Sequence, residues 1–265
     1  MPSEKHTRVT VRILVKAFPQ HSEKYEETVC CAGVREDTGA LIRLFPITYR
    51  RLAPEHQFDR YDRIEVTITK AGDPRPESFR LDQATLRVVD QGSKLDAAAK
   101  VRLWLPFIVP SLADLQAQNR SDSKRSLGIV RPDPGSLTFF HRAAEGEEAQ
   151  DAQPLQALLF DQPLKNLAPP EFAFGYRFTS AGNSHEYSIQ DWEVQAAYLA
   201  YQRQYGSKER ALAMLAQEYG ENIPRDNPHF IMGTMKRRPH QFLLIGILRS
   251  QLDPQELAKQ TSLFS

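Results

Sequence analysis

Four apolar runs in the first ninety residues constrain this chain more than any other feature. They are RVTVRILVKAF (8–18), TVCCAGVRE (28–36), ALIRLFPI (40–47) and RIEVTITKAG (63–72). The last alternates cleanly, with Ile64, Val66 and Ile68 on one side and Glu65, Thr67 and Thr69 on the other. That is the period of a strand with one buried face. Glu36-Asp37-Thr38-Gly39 joins the second and third runs as a hairpin, with Gly39 available for positive φ. A fifth short run, TLRVV (85–89), ends near Asp90. Residues 1–92 are therefore expected to form a mostly β, curved or barrel-like module.

The pattern then changes. Residues 93–120 read as two helical pieces broken around Pro106 and Pro110, the second capped by Ser111. SLGIVRP (126–132) reads as a short buried segment and AAEGEEAQDAQP (143–154) as an acidic surface loop. Residues 93–168 are expected to connect two modules. In FAFGYRF, Phe172, Phe174, Tyr176 and Phe178 share a period of two, which makes a strand with an aromatic face. Two helices follow, capped by Asp191 and Ser207, then strands HFIMGT and QFLLIGILRS joined by MKRRP. Residues 169–250 thus read as an α+β unit with an antiparallel hairpin, and 251–265 as a tail. The expected class is α+β, with no internal repeat.

At 265 residues, 41% hydrophobic and 25% charged, the chain has the makeup of an ordinary globular protein. No run reaches the roughly 18 apolar residues of a membrane helix. The polar start MPSEKHTR does not read as a signal peptide, so a cytoplasmic protein with no membrane partner is expected. Cys30 and Cys31 are adjacent, which in a strand sends them to opposite faces rather than into a disulfide framework. A net charge of +1 neither requires nor excludes nucleic acid, because a local patch can bind it.

Two basic sets are candidate nucleic-acid contacts. Lys236, Arg237 and Arg238 sit at the tip of the C-terminal hairpin, placed to meet phosphates or simply to solvate a turn. In the first module Arg43, Arg50, Arg51, Arg60 and Arg63 interleave with Tyr49 and Tyr61, and with Phe45 and Phe58. Arginines and aromatics on a curved sheet suit backbone neutralisation and base stacking. The competing reading is aromatic core beside ordinary surface arginines.

A third set concerns catalysis. His185, Asp191 and Glu193 converge on one point if Asp191 caps its helix, and they would hold Mg²⁺ or Mn²⁺ for phosphodiester hydrolysis. Helix capping explains the carboxylates equally well. Phosphate-loop, dinucleotide, nucleophile-elbow and HExxH patterns are all missing from the sequence. A small-molecule or modified-nucleotide enzyme with a pocket between the two β regions is the other class.

The last residues are QTSLFS. Gln260, Ser262, Leu263 and Phe264 resemble the pentapeptide by which bacterial replication and repair proteins dock on the DNA sliding clamp: a leading glutamine, a central polar residue, then Leu-Phe. Thr261 departs from the commoner leucine at a permissive position. The alternative is that Phe264 closes a gap on its own domain. The resemblance implies a DNA replication, repair or defence protein, tethered to the clamp and holding single-stranded or structured DNA. The body, in LIRLFPI and HEYSIQDWE, is similar to an uncharacterised bacterial family, which implies no activity.

Overall fold

The computed structural model describes residues 6–22, 26–70, 72–144 and 170–254. The fold is mixed α+β, as expected: one six-stranded sheet closes into a ring, and two smaller sheets, of three and four strands, together make an open second ring.

The first ring takes β1 (Thr7–Lys16), β3 (Glu26–Arg35), β4 (Leu41–Ile47), β5 (Arg63–Thr69) and β6 (Ser78–Asp90), with the short β2 (Gln20–Ser22) appended to β3. β1 pairs antiparallel with β3, β3 with β4, and β5 with both β6 and β1. The ring closes through one parallel pair, β4 with β6. Alternation drives this closure. Val9, Val11, Ile13, Val29, Cys31, Ile42, Leu44, Ile64, Val66 and Ile68 point inward and are buried. Cys31 joins that interior while neighbouring Cys30 faces the other way, and both are free thiols. Gly39 takes φ 61° in the expected hairpin turn. TLRVV proves to be the far end of β6, a single long strand whose register slips twice against β5.

Helix α1 (Ala97–Trp104) follows, its first turn capped by Asp96, which accepts from the Ala99 N–H at 2.7 Å. Strand β7 (Ile108–Val109) and helix α2 (Leu112–Arg120) come next, the latter capped by Ser111 as its sequence predicts. The second ring contains β8 (Leu127–Val130), β9 (Thr138–Ala143), β10 (Phe172–Ser180), β11 (Asn183–Ser188), β12 (His229–Met235) and β13 (Arg238–Leu248). β8 and β9 are separated by a turn at Pro132–Leu137 and lie in different sheets, and between them they occupy the place of one strand. β8 pairs antiparallel with β12, and β9 with β10. β10 pairs with β11 and β12 with β13, and a lone parallel bridge, Ile189 to Leu244, links the end of β11 to β13. Counted in chain order, each ring therefore pairs its first strand with its second and fourth, and its third in parallel with its fifth. Helices α3 (Trp192–Tyr205) and α4 (Lys208–Gln217), capped by Asp191 and Ser207, lie between the third and fourth strands. The 3-10 turns Tyr49–Arg51 and Pro54–His56 hold the same place in the first ring.

Within the expected connecting region, residues 127–130 and 138–143 pair into the second ring as β8 and β9, and residues 145–168, with most of the expected acidic loop, lie outside the described residues. Each ring has its own interior, the second built on Phe174, Tyr176, Phe178, Phe230, Met232 and Leu244. A third apolar layer lies between them: Leu14, Val15, Ala32, Val34 and Leu41 from the first ring, with Val101, Trp104, Leu127, Ile129, Ile231 and Leu248. At Gly246 the rings come so close that a Cβ would meet Val15 Cγ2 at 2.6 Å. Among the described residues no helix is long and apolar enough to cross a membrane.

Candidate nucleic-acid interface

The docking of the rings decides which surfaces remain available. The outward side of β3 and β4, carrying Ala32, Val34, Leu41 and Arg43, is covered by the second ring. Arg43 is 3% exposed and donates to Ser78 Oγ at 2.8 Å and to Ser126 Oγ at 3.0 Å. Glu77 locks the same joint by accepting from the Ser126 N–H at 2.9 Å, and Arg75 donates to the Thr234 carbonyl. Arg60 is also a joint residue. Its guanidinium reaches Asp191 at 2.7 Å and Glu193 at 3.0 Å, and donates to the Ile247 carbonyl. Burial alone would lower the Arg60 pKa, but Asp191 and Glu193 outweigh it and hold it above its ordinary value.

The predicted first-module set therefore does not form one basic-aromatic face. Arg43 and Arg60 are inter-ring contacts. Tyr49 is buried, its hydroxyl donating to the Phe58 carbonyl at 2.6 Å. Tyr61 sits against the inter-ring layer, with Lys100 over its ring at 5.5 Å. Arg50 and Arg63 are engaged by Glu27 at 2.7 Å and Glu36 at 2.8 Å, and Arg51 is exposed.

The expected His185, Asp191 and Glu193 cluster is likewise taken apart. Asp191 caps α3 by accepting from the Glu193 N–H at 3.1 Å. Both carboxylates do converge, but on the Arg60 guanidinium. His185 lies on β11 opposite Phe178, 5.4 Å ring to ring. Burial lowers its pKa, against the pull of Asp133. Among the described residues no group of three or more histidine, cysteine, aspartate or glutamate side chains is placed to hold a metal ion. His229 is buried between the rings, packed on Trp104 at 4.9 Å with Nδ1 2.9 Å from the Asn227 carbonyl.

A different face is open. On the outer side of β9, β10 and β11, Phe140 lies directly over Gly175, where a Cβ would meet the Phe140 ring at 2.3 Å. Arg142 and Arg177 flank that ring, their guanidinium carbons 5.7 and 5.1 Å from its centroid. Their side chains are 52% and 61% exposed, and both are steadied by Glu186, at 3.4 and 2.7 Å. Lys236, Arg237 and Arg238 occupy the exposed β12–β13 tip as their sequence predicts. Between that tip and β11 runs a groove of about 680 Å³, lined by Ser184, His185, Glu186, Tyr187, Arg238 and His240 among others. Glu186 belongs to both the groove and the Phe140 platform, so the two are continuous. Phe140, Arg142 and Arg177 escaped the sequence reading. The signals were the aromatic pair two residues before an arginine in TFFHRA and the glycine inside FAFGYRF, which marks a close approach.

Known proteins divide the chain where the rings do. The family model described as domain of unknown function DUF8758 matches residues 7–105, and domain of unknown function DUF8757 matches residues 109–265. The latter spans more than half of the sequence, and the chain belongs to that family. No curated protein matches. Among solved structures, a replication protein A heterotrimer bound to ssDNA is similar at 9% identity, with 100% of this chain and 53% of that chain covered and a TM-score of 0.39. The HINa domain of Ifi202 in complex with 20bp dsDNA gives 10% identity, 71% and 76% coverage and a TM-score of 0.31. A murine DNA binding protein bound with ds DNA gives 9% identity, 93% and 97% coverage and a TM-score of 0.31. All three scores are too low to establish a shared fold.

Proposed function

We propose that this chain is a DNA-binding protein of replication, repair or defence that holds single strands on its second ring. The ring order supports it: a five-strand ring closed by one parallel pair is the plan of the OB-type barrel, which takes oligonucleotides on its second and third strands and adjoining loops. In the first ring that surface is buried against its neighbour. In the second it is open, and its fourth-to-fifth-strand loop is the Lys236–Arg238 tip. The observation that carries the reading is Phe140 between Arg142 and Arg177: an aromatic flanked by cations on that open face. Bases stack on such a ring in any sequence, and guanidinium groups meet the phosphates. A duplex hides its base faces, so the platform favours single strands.

The tail completes the reading. Gln260, Ser262, Leu263 and Phe264 lie outside the described residues, and the sliding-clamp tether rests on their sequence alone. Burying Leu263 and Phe264 in a partner contributes roughly 1.5–3 kcal/mol each, less the cost of ordering the tail. That is a weak, reversible hold. A chain ending at Lys259 loses micromolar clamp affinity while keeping its affinity for DNA. Equal clamp binding by both lengths contradicts the tether.

The DNA reading is tested by fluorescence anisotropy with a labelled twelve-nucleotide strand. Phe140→Ala weakens binding about tenfold or more, the equivalent of one lost base stack, with little change in melting temperature because Phe140 lies outside the core. An unchanged affinity in that variant contradicts the assignment of this face.

A further inference from the structure

The second ring is not fully zipped. β11 and β13 meet at one end only, through the Ile189–Leu244 bridge and the Gln190 N–H donating to the Leu244 carbonyl at 2.8 Å. Towards the hairpin tip they part, and the groove fills the gap between Ser184–Tyr187 and Arg238–Phe242, with Gln116 of α2 as a third wall. Its walls mix the apolar faces of Tyr187, Pro239 and Phe242 with polar groups. Gln116 and Gln241 bring two amides, each with donors and an acceptor. His240 is fixed by its neighbours. Asn119 Nδ2 donates to the Arg125 carbonyl at 2.9 Å, which leaves Asn119 Oδ1 as the acceptor for His240 Nδ1 at 2.8 Å. In the neutral ring Nδ1 therefore carries the proton, and Nε2 remains as an acceptor for a ligand. His185 Nε2 is buried with no partner among the described residues. His185 lines the groove with the rest of its ring, since Nε2 itself is closed off from solvent.

We propose that this groove receives one base of the strand stacked on Phe140 and reads its edge, so that binding is selective for base type. The inference rests on the single-strand reading above and goes beyond it, since a stacking platform alone is indifferent to sequence. The continuity through Glu186 gives the strand a path from platform to groove, and Arg238 stands at the rim for a phosphate. A peptide strand added to the open edges of β11 and β13 is the rival occupant. It would pair main chain to main chain along those edges, whereas the groove lies beside the basic Lys236–Arg238 tip, which suits a phosphodiester strand.

The test uses the full chain and labelled twelve-nucleotide tracts of dA, dC and dT at one salt concentration. Wild-type affinities spread about tenfold or more, as edge reading demands. The double variant Gln116→Ala/His240→Ala lowers the preferred tract to within about threefold of the others. Phe140→Ala weakens all three and preserves their ratio. If the three tracts bind alike while Phe140→Ala still weakens each, the base pocket is wrong, the platform stands, and the seam is left to a peptide. A spread that survives the double variant also overturns the proposal. No binding by any tract overturns both readings.

Discussion

At the scale of single residues, charge and burial separate those that hold the molecule together from those that face a ligand. Arg43 and Arg60 look alike in sequence to Arg142 and Arg177, yet the first pair is sealed between rings and the second pair lies open. His229 makes the same point through pH. Burial depresses its pKa to about 4, so the folded protein keeps it neutral while the unfolded chain titrates near 6.5. The unfolded state then binds more protons between those values. Its contribution is fully present above about pH 6.5 and is lost as pH falls towards 4, about 3 kcal/mol in all. Denaturant melts at pH 7 and pH 5 measure the slope, and His229→Gln flattens it. An identical slope in that variant contradicts the assignment. Gly175 offers a second check. Gly175→Ala forces Phe140 off its seat, because the added methyl would overlap the ring. DNA affinity then falls in the manner of Phe140→Ala, and wild-type affinity in Gly175→Ala speaks against the platform.

At the scale of elements, what was legible in the sequence followed periodicity and caps. β5 and β10 announce themselves by apolar alternation, and β1, β3, β4, β12 and β13 by short apolar runs. α2, α3 and α4 start at Ser111, Asp191 and Ser207, whose side chains do accept from the first-turn N–H groups. β9 and β11 were missed for a physical reason. NSHEYS carries a single apolar side chain, Tyr187, which packs with His185 against Phe178 while Ser184 and Glu186 face solvent. TFFHRA follows Pro132 and Pro134, punctuation that here separates β8 from β9. The shared pairing order was invisible because the two sets of strands do not share spacing. The first strand of one ring runs unbroken for ten residues, and its counterpart is split by that turn. The β12–β13 tip carries the prediction for this scale. Lys236→Ala/Arg237→Ala lowers the salt slope of single-strand binding by about 1.4, at roughly 0.7 per phosphate contact. It weakens all sequences evenly. A slope equal to wild type shows that the tip is only a solvated turn.

At the scale of the whole molecule, the two rings divide their labour. The first gives up its open face to the second, through the apolar layer and the Arg43, Arg75 and Arg60 contacts. Asp191 is 3% exposed, so removing its partner strands a buried carboxylate. Arg60→Ala costs about 3 kcal/mol of stability, read as an earlier denaturant midpoint, and a shift near zero means the joint does not depend on the pair. That arrangement also explains why a basic and aromatic stretch in the first ninety residues misleads. Arg43 and Arg60 are held by the neighbouring ring and Arg50 and Arg63 by Glu27 and Glu36 of their own, a fact set by tertiary contacts far apart in sequence. The surface left over lies on the second ring. The most direct measurement is therefore photocrosslinking of a substituted single strand to the full chain, with the attached residues located by mass. The account predicts attachment at β9, β10, β11 and the 236–241 tip, with Phe140 foremost. Attachment confined to the first ring, or none at saturating strand, contradicts it.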